Sequence, residues 1–115
     1  MADRRVVITG LGAVTGLGLG AAAMWDGLLA GRSGVGPLTR VSPEAFPCGV
    51  GAEVRDFSAK DHVPKGYRKA VKVMARDTEL AVAAARLAVA DAGLTTRSHN
   101  ESDAPDFATT YPQPR

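Results

Sequence analysis

The chain has 115 residues, with 14 Lys and Arg against 12 Asp and Glu, and this net charge of +2 is too small to point to nucleic acid. Hydrophobic residues make up 45% and aromatics only 5%, so one modest domain has to build its core from Val, Leu and Ala. A single cysteine excludes an internal disulfide, Met1–Arg5 carries no apolar signal region, and no run approaches the roughly 18 apolar residues of a membrane span; the expectation is a cytoplasmic protein without membrane contact.

Val6, Val7 and Ile8 form a β-branched apolar run. Such a run predicts a short strand covered on both faces. Thr9-Gly10-Leu11-Gly12 is then expected to turn the chain sharply, glycine serving there because its backbone can take positive φ or approach another backbone closely. A dinucleotide-binding GxGxxG does not fit. Begun at Gly10 it would need glycine where Thr15 stands, and begun at Gly16 it would need glycine where Ala21 stands. Only the looser form ending in alanine survives at Gly16–Ala21, too far from the strand to cradle a pyrophosphate.

Ala21, Met24, Trp25, Leu28 and Leu29 fall on one helical face, which predicts a helix over 21–30 with Gly31 as its stop and Trp25 as a core anchor. Gly34 to Pro47 is rich in breakers and reads as a loop. Gly49 to Val54 reads as a second short strand and Ala59 to Gly66 as a polar connector. A long helical region is expected from Tyr67 to Ala92. Its alanine-rich second half suits close approach of a neighbouring element, and Gly93 ends it. Residues 95–115 have three prolines and no periodicity and read as disordered.

RRVVITGLGAVTGLG at residues 4–18, followed by Trp25 to Val35, resembles the amino-terminal end of β-ketoacyl-acyl-carrier-protein synthases. These are elongating condensing enzymes of fatty-acid synthesis with a thiolase-like fold. Phe46-Pro47 through Gly51–Phe57, and Asp91-Ala92-Gly93-Leu94, continue the resemblance in order. Gly16 departs from it, since the family usually has proline there. The implied fold is the amino-terminal part of a layered α/β thiolase-like architecture, incomplete on its own, with residues 1–94 as the synthase-like segment and 95–115 as a polar tail.

The resemblance implies decarboxylative Claisen condensation by an intact family member, without metal or organic cofactor, in a homodimer served by an acyl carrier protein. The family uses one cysteine at a helix N-terminus and two histidines. Cys48, His62 and His99 match none of these positions: Cys48 has no helix after it, His62 lies in the connector and His99 in the tail. No catalytic, cofactor or metal residue is assigned, Cys48 is expected to be an ordinary buried or half-buried thiol, and the chain is expected to be inactive alone.

A basic cluster remains: Lys65, Arg68, Lys69, Lys72 and Arg76. On one continuous helix Arg68, Lys72 and Arg76 would share a face. The resemblance assigns Arg68, Lys69 and Lys72 to carrier-protein docking, with Val73 standing at a further basic position of the family. The alternative is a plain solvated face. For the chain as a whole, the expectation is a truncated or fragmentary synthase; the competing readings are a noncatalytic acyl-carrier-protein interaction module and, more weakly, a Rossmann-like nucleotide binder.

Overall fold

The computed structural model describes residues 5–94. In chain order these form strands β1 (Val14–Thr15) and β2 (Gly18–Leu19), helix α1 (Ala21–Leu29), strand β3 (Val35–Pro37), a 3-10 turn (Pro43–Ala45) and strand β4 (Val50–Ala52). Two more 3-10 turns (Ala59–His62 and Lys65–Tyr67) lead into the short helix α2 (Arg68–Val71) and the long helix α3 (Arg76–Asp91). The strands form two separate antiparallel hairpins, β1 with β2 and β3 with β4.

The alanines of α3 have a definite use. A Cβ at Gly10 would overlap the Ala88 carbonyl oxygen and stand 2.6 Å from the Ala92 amide nitrogen; one at Gly12 would overlap the Ala84 carbonyl oxygen and stand 2.5 Å from the Ala88 amide nitrogen. The Gly10–Gly12 backbone therefore lies directly on the backbone of α3, along a seam of small residues four apart. Between the two glycines, the Leu11 amide donates to Asp91 Oδ2 at 2.8 Å. This is the close approach expected of the glycines and alanines; the sharp turn expected at Thr9–Gly12 does not form, because the segment lies along α3 with neither glycine at positive φ.

Both larger helices end in the same way. Gly31 and Gly93 take φ of 63° and 65°. The Arg32 amide donates to Gly27 O at 2.9 Å and the Leu94 amide to Val89 O at 3.1 Å, inside the bonds from Gly31 to Leu28 O and Gly93 to Ala90 O. These are Schellman caps, in which glycine takes the left-handed position at no steric cost. Asp77 and Glu79 stand in the first turn of α3, where the helix dipole favours negative charge.

The core is small. Among the described residues the buried hydrophobic side chains are Ala59, Val71 and Ala83, one each from the turn at Ala59–His62, α2 and α3. That turn packs against both helices. Buried Gly27 admits Leu17, whose Cδ atoms would stand 3.3 Å from a Cβ there, and so seats α1 on the first hairpin.

Four expectations are corrected. Val6–Ile8 forms no strand, because no described segment lies beside it to supply hydrogen bonds. The loop expected over 34–47 contains β3, which its glycine and proline do not prevent because it is an edge strand paired only to β4. Trp25 is 60% exposed and anchors no core among the described residues, since none of them covers the outer side of α1. The helix expected over 67–92 is broken between Val71 and Arg76, where the Lys72, Val73 and Met74 amides bond three residues back instead of four.

Candidate functional site

The break in the helix redistributes the basic cluster. Arg68 and Lys69 lie on α2 and Lys72 immediately follows it, all three exposed. Val71, 5% exposed, pins α2 from beneath and turns these cations outward. Among the described residues none of the three has an ion-pair partner. Lys65 is exposed in the turn before α2, and Val73, 87% exposed, stands beside Lys72. The result is a basic patch with one bare aliphatic side chain at its margin.

Arg76 does not belong to that patch, which corrects the expected strip. Its guanidinium carbon lies 4.7 Å from the centroid of the Phe57 ring. Nη1 pairs with Glu79 Oε2 at 2.9 Å and Nη2 donates to Val54 O at 3.3 Å. The planar fork thus stacks, pairs and donates at once, which an ammonium group cannot do. The stack and the bond to Val54 tie the start of α3 to the segment after β4. The helix breaks at that anchor although no glycine or proline lies between residues 67 and 92.

His62 is half-buried, with its ring stacked on Phe57 at 5.6 Å between centroids and 17° between planes. Cys48 is exposed, contrary to the buried or half-buried thiol expected, because it lies in the exposed stretch 46–49 between the 3-10 turn and β4; its Sγ lies 3.7 Å from Val50 O. His99 lies outside the described residues. Among the described residues no group of three or more His, Cys, Asp or Glu side chains is arranged to hold a metal ion.

Sequence reading missed Glu53. Its carboxylate reaches across the second hairpin, accepting from Thr39 Oγ1 at 2.6 Å, the Thr39 amide at 3.0 Å and the Arg40 amide at 2.9 Å. The Thr39 hydroxyl, then the two amides, hold its pKa down to about 2, with a smaller contribution from the Arg55 charge. The only sequence signal is a threonine beyond one strand and a glutamate beyond the other, and it becomes visible only with the register of β3 on β4.

Comparison with known proteins decides what this framework belongs to. The family described as β-ketoacyl synthase, N-terminal domain, matches residues 3–111. The chain belongs to the β-ketoacyl synthase family. It is 44% identical over 105 residues to 3-oxoacyl-acyl-carrier-protein synthase 2 of Coxiella burnetii, covering 91% of this chain and 24% of that protein. The Synechocystis protein of the same name is 40% identical over 100 residues, covering 87% of this chain and 23% of its own length. Among solved structures, the ishigamide ketosynthase/chain length factor superposes with a TM-score of 0.67 at 45% identity, covering 82% of this chain and 23% of that one. The fold is therefore the mixed α/β, thiolase-like amino-terminal domain of ketosynthases. The chain spans about a quarter of the length of the curated relatives it matches. No helix among the described residues is long and apolar enough to cross a membrane.

Proposed function

We propose that this chain is the amino-terminal segment of a cytoplasmic, homodimeric β-ketoacyl-acyl-carrier-protein synthase of fatty-acid or polyketide synthesis, and that Arg68, Lys69 and Lys72 dock the carrier protein. In the whole enzyme a cysteine thioester holds the acyl chain. A malonyl thioester on the carrier loses carbon dioxide, the carbanion so formed attacks the acyl carbonyl, and the cysteine thiolate leaves, giving a β-ketoacyl carrier and a restored thiol. None of these roles falls on Cys48 or His62. This segment's part is to hold a basic face toward the acidic carrier.

The observation that carries the reading is that three cations, held outward by buried Val71 and unpaired among the described residues, stand on a segment of a synthase family member. Exposed charges of this kind contribute roughly 0.2–1 kcal/mol each, so they act together and chiefly on the association rate. The test is titration of the chain with an acyl carrier protein. Weak binding should fall as the Debye length shrinks from about 10 Å at 0.1 M salt to about 3 Å at 1 M. Reversing Arg68, Lys69 and Lys72 together to glutamate should abolish it with helix content unchanged. Binding indifferent to that triple change would reduce the patch to a solvated face. The 115-residue chain alone should release no carbon dioxide from a malonyl carrier; turnover lost on Cys48→Ala would overturn the assignment.

A further inference from the structure

The link between α2 and α3, Lys72 to Ala75, is held at both ends. At one end Val71 is buried, and the turn Ala59–His62 packs against both helices. At the other end Arg76 lies 4.7 Å from the Phe57 ring centroid, pairs with Glu79 and donates to Val54 O. Phe57 is half-buried and also stacks on His62, the last residue of that turn. One ring thus joins three segments: the stretch after β4, the turn and the first residue of α3. Within the link Met74 is half-buried, while Lys72 and Val73 are exposed. With so few residues between two fixed ends, the direction of Lys72 follows from both. Arg68 and Lys69, on α2, depend on Val71 alone. The Arg76 side chain is only 30% exposed and its charge is committed to Glu79, so it has little to offer an acidic partner directly.

We infer that Arg76 is a positioning residue for carrier docking: anchored on Phe57, it fixes the link so that Lys72 joins Arg68 and Lys69 on one face, and it does not touch the carrier itself. The inference rests on the proposed function and adds to it a residue that acts through another. Two substitutions separate position from charge. Arg76→Lys keeps the charge but loses the fork that stacks, pairs and donates at once. Phe57→Leu keeps every charge and an apolar side chain but removes the ring beneath the guanidinium. A fourth docking charge would survive both changes, whereas a positioning anchor survives neither. Lys72 is one exposed charge among three, so its misplacement weakens binding about two- to fivefold without abolishing it, chiefly through the association rate.

The test titrates the full chain and its variants with an acyl carrier protein and records carbon chemical shifts along 68–76. Arg76→Lys and Phe57→Leu should each weaken binding about two- to fivefold and make its salt dependence shallower, because one charge fewer meets the carrier. The double variant should bind no more weakly than either single one, since both release the same anchor. Lys72→Gln should weaken the parent by a similar factor and cost nothing further in the Arg76→Lys background, a coupling that a general loss of stability would not produce. Shifts at Lys72 and Val73 should move in both variants while those at Arg68 and Lys69 stay. Parental binding in Arg76→Lys and Phe57→Leu, or an undiminished effect of Lys72→Gln in the Arg76→Lys background, would overturn the inference and leave the proposed function standing. So would a loss of helix content that accompanies the loss of binding in both variants, which would reduce Arg76 to a role in folding. A parent chain that binds no carrier, or binds it regardless of the triple reversal to glutamate, would overturn the proposed function and the docking role with it. The shifts at 72 and 73 would then still report whether Arg76 sets the link.

Discussion

Glu53 shows what one side chain does in a domain with so few buried groups. Its carboxylate collects three donors from Thr39 and Arg40 and fixes the chain as it leaves β3. Because these donors favour the charged form, its pKa falls from 4.5 to about 2 on folding. The unfolded state therefore binds the proton more readily, and stability rises with pH across this interval. The contribution is complete above about 4.5 and is lost as pH falls through 2. Glu53→Gln should melt lower than the parent protein at pH 7, and the difference should shrink as pH drops from 4.5 toward 2. A difference in melting temperature that stays constant over that window would show the clamp to be idle. Gly10 and Gly12 make the opposite case, since their use was legible in the sequence: glycines for close approach and an alanine-rich helix to receive them. Gly12→Ala places a Cβ against the Ala84 carbonyl, and overpacking of this kind costs about 1–3 kcal/mol. The checks are a lowered urea midpoint and faster exchange of the Leu11 amide, whose bond to Asp91 depends on the seam. The glutamate's partners lie 13 and 14 residues away, so they could not be read without the hairpin register.

At the scale of elements, helix positions were readable and helix continuity was not. The apolar periodicity of 21–30 and the glycines at 31 and 93 correspond to real helices and real Schellman caps, because propensity and cap chemistry act locally. The break between α2 and α3 has a tertiary cause in Arg76, which stacks on Phe57 and donates to Val54 O across 22 residues of sequence. Hairpin β3–β4 escaped half-notice for a similar reason: Val50–Ala52 has strand character, but Val35–Pro37 is a strand only because it is paired. Arg76→Ala should cost about 1–2 kcal/mol, the sum of a partly exposed cation–π contact and a partly exposed ion pair with its accompanying bond. It should also let helical structure spread into residues 72–75, seen as carbon chemical shifts there moving toward helical values. Arg76→Lys should not restore the break, since one ammonium cannot stack, pair and donate in the same geometry. Unchanged shifts in Arg76→Ala would place the cause of the break elsewhere.

Across the whole molecule the apolar surface is turned outward to a degree that its composition does not require. Val6, Val7, Ile8, Trp25, Leu28, Leu29 and Val73 are all more than half exposed, while the buried hydrophobic side chains among the described residues are two alanines and a valine. Fully burying a large aliphatic side chain stabilises by about 1.5–3 kcal/mol, and Ala59, Val71 and Ala83 offer little of that. Ordering each residue opposes it by roughly 1–2 kcal/mol of backbone entropy alone. The two hairpins offer little compensation, because two-stranded units are marginal in water and these have strands of only two and three residues. The helices are better placed. Alanine propensity, Schellman caps and the Gly10–Gly12 seam favour α3 locally, without a large core. The isolated chain should accordingly show helical circular dichroism with a broad, weakly cooperative thermal transition. Exposed Trp25 and the bare Val6–Ile8 run should drive self-association as concentration rises. Charge on the basic patch should oppose association at low salt, so the associated fraction should grow when salt is added, the reverse of the trend expected for carrier binding. Calorimetry and sedimentation at two salt concentrations would separate the two effects. A sharp two-state melt of a monomer at all concentrations would show that this quarter of the synthase fold is self-sufficient, against everything its exposed apolar surface implies.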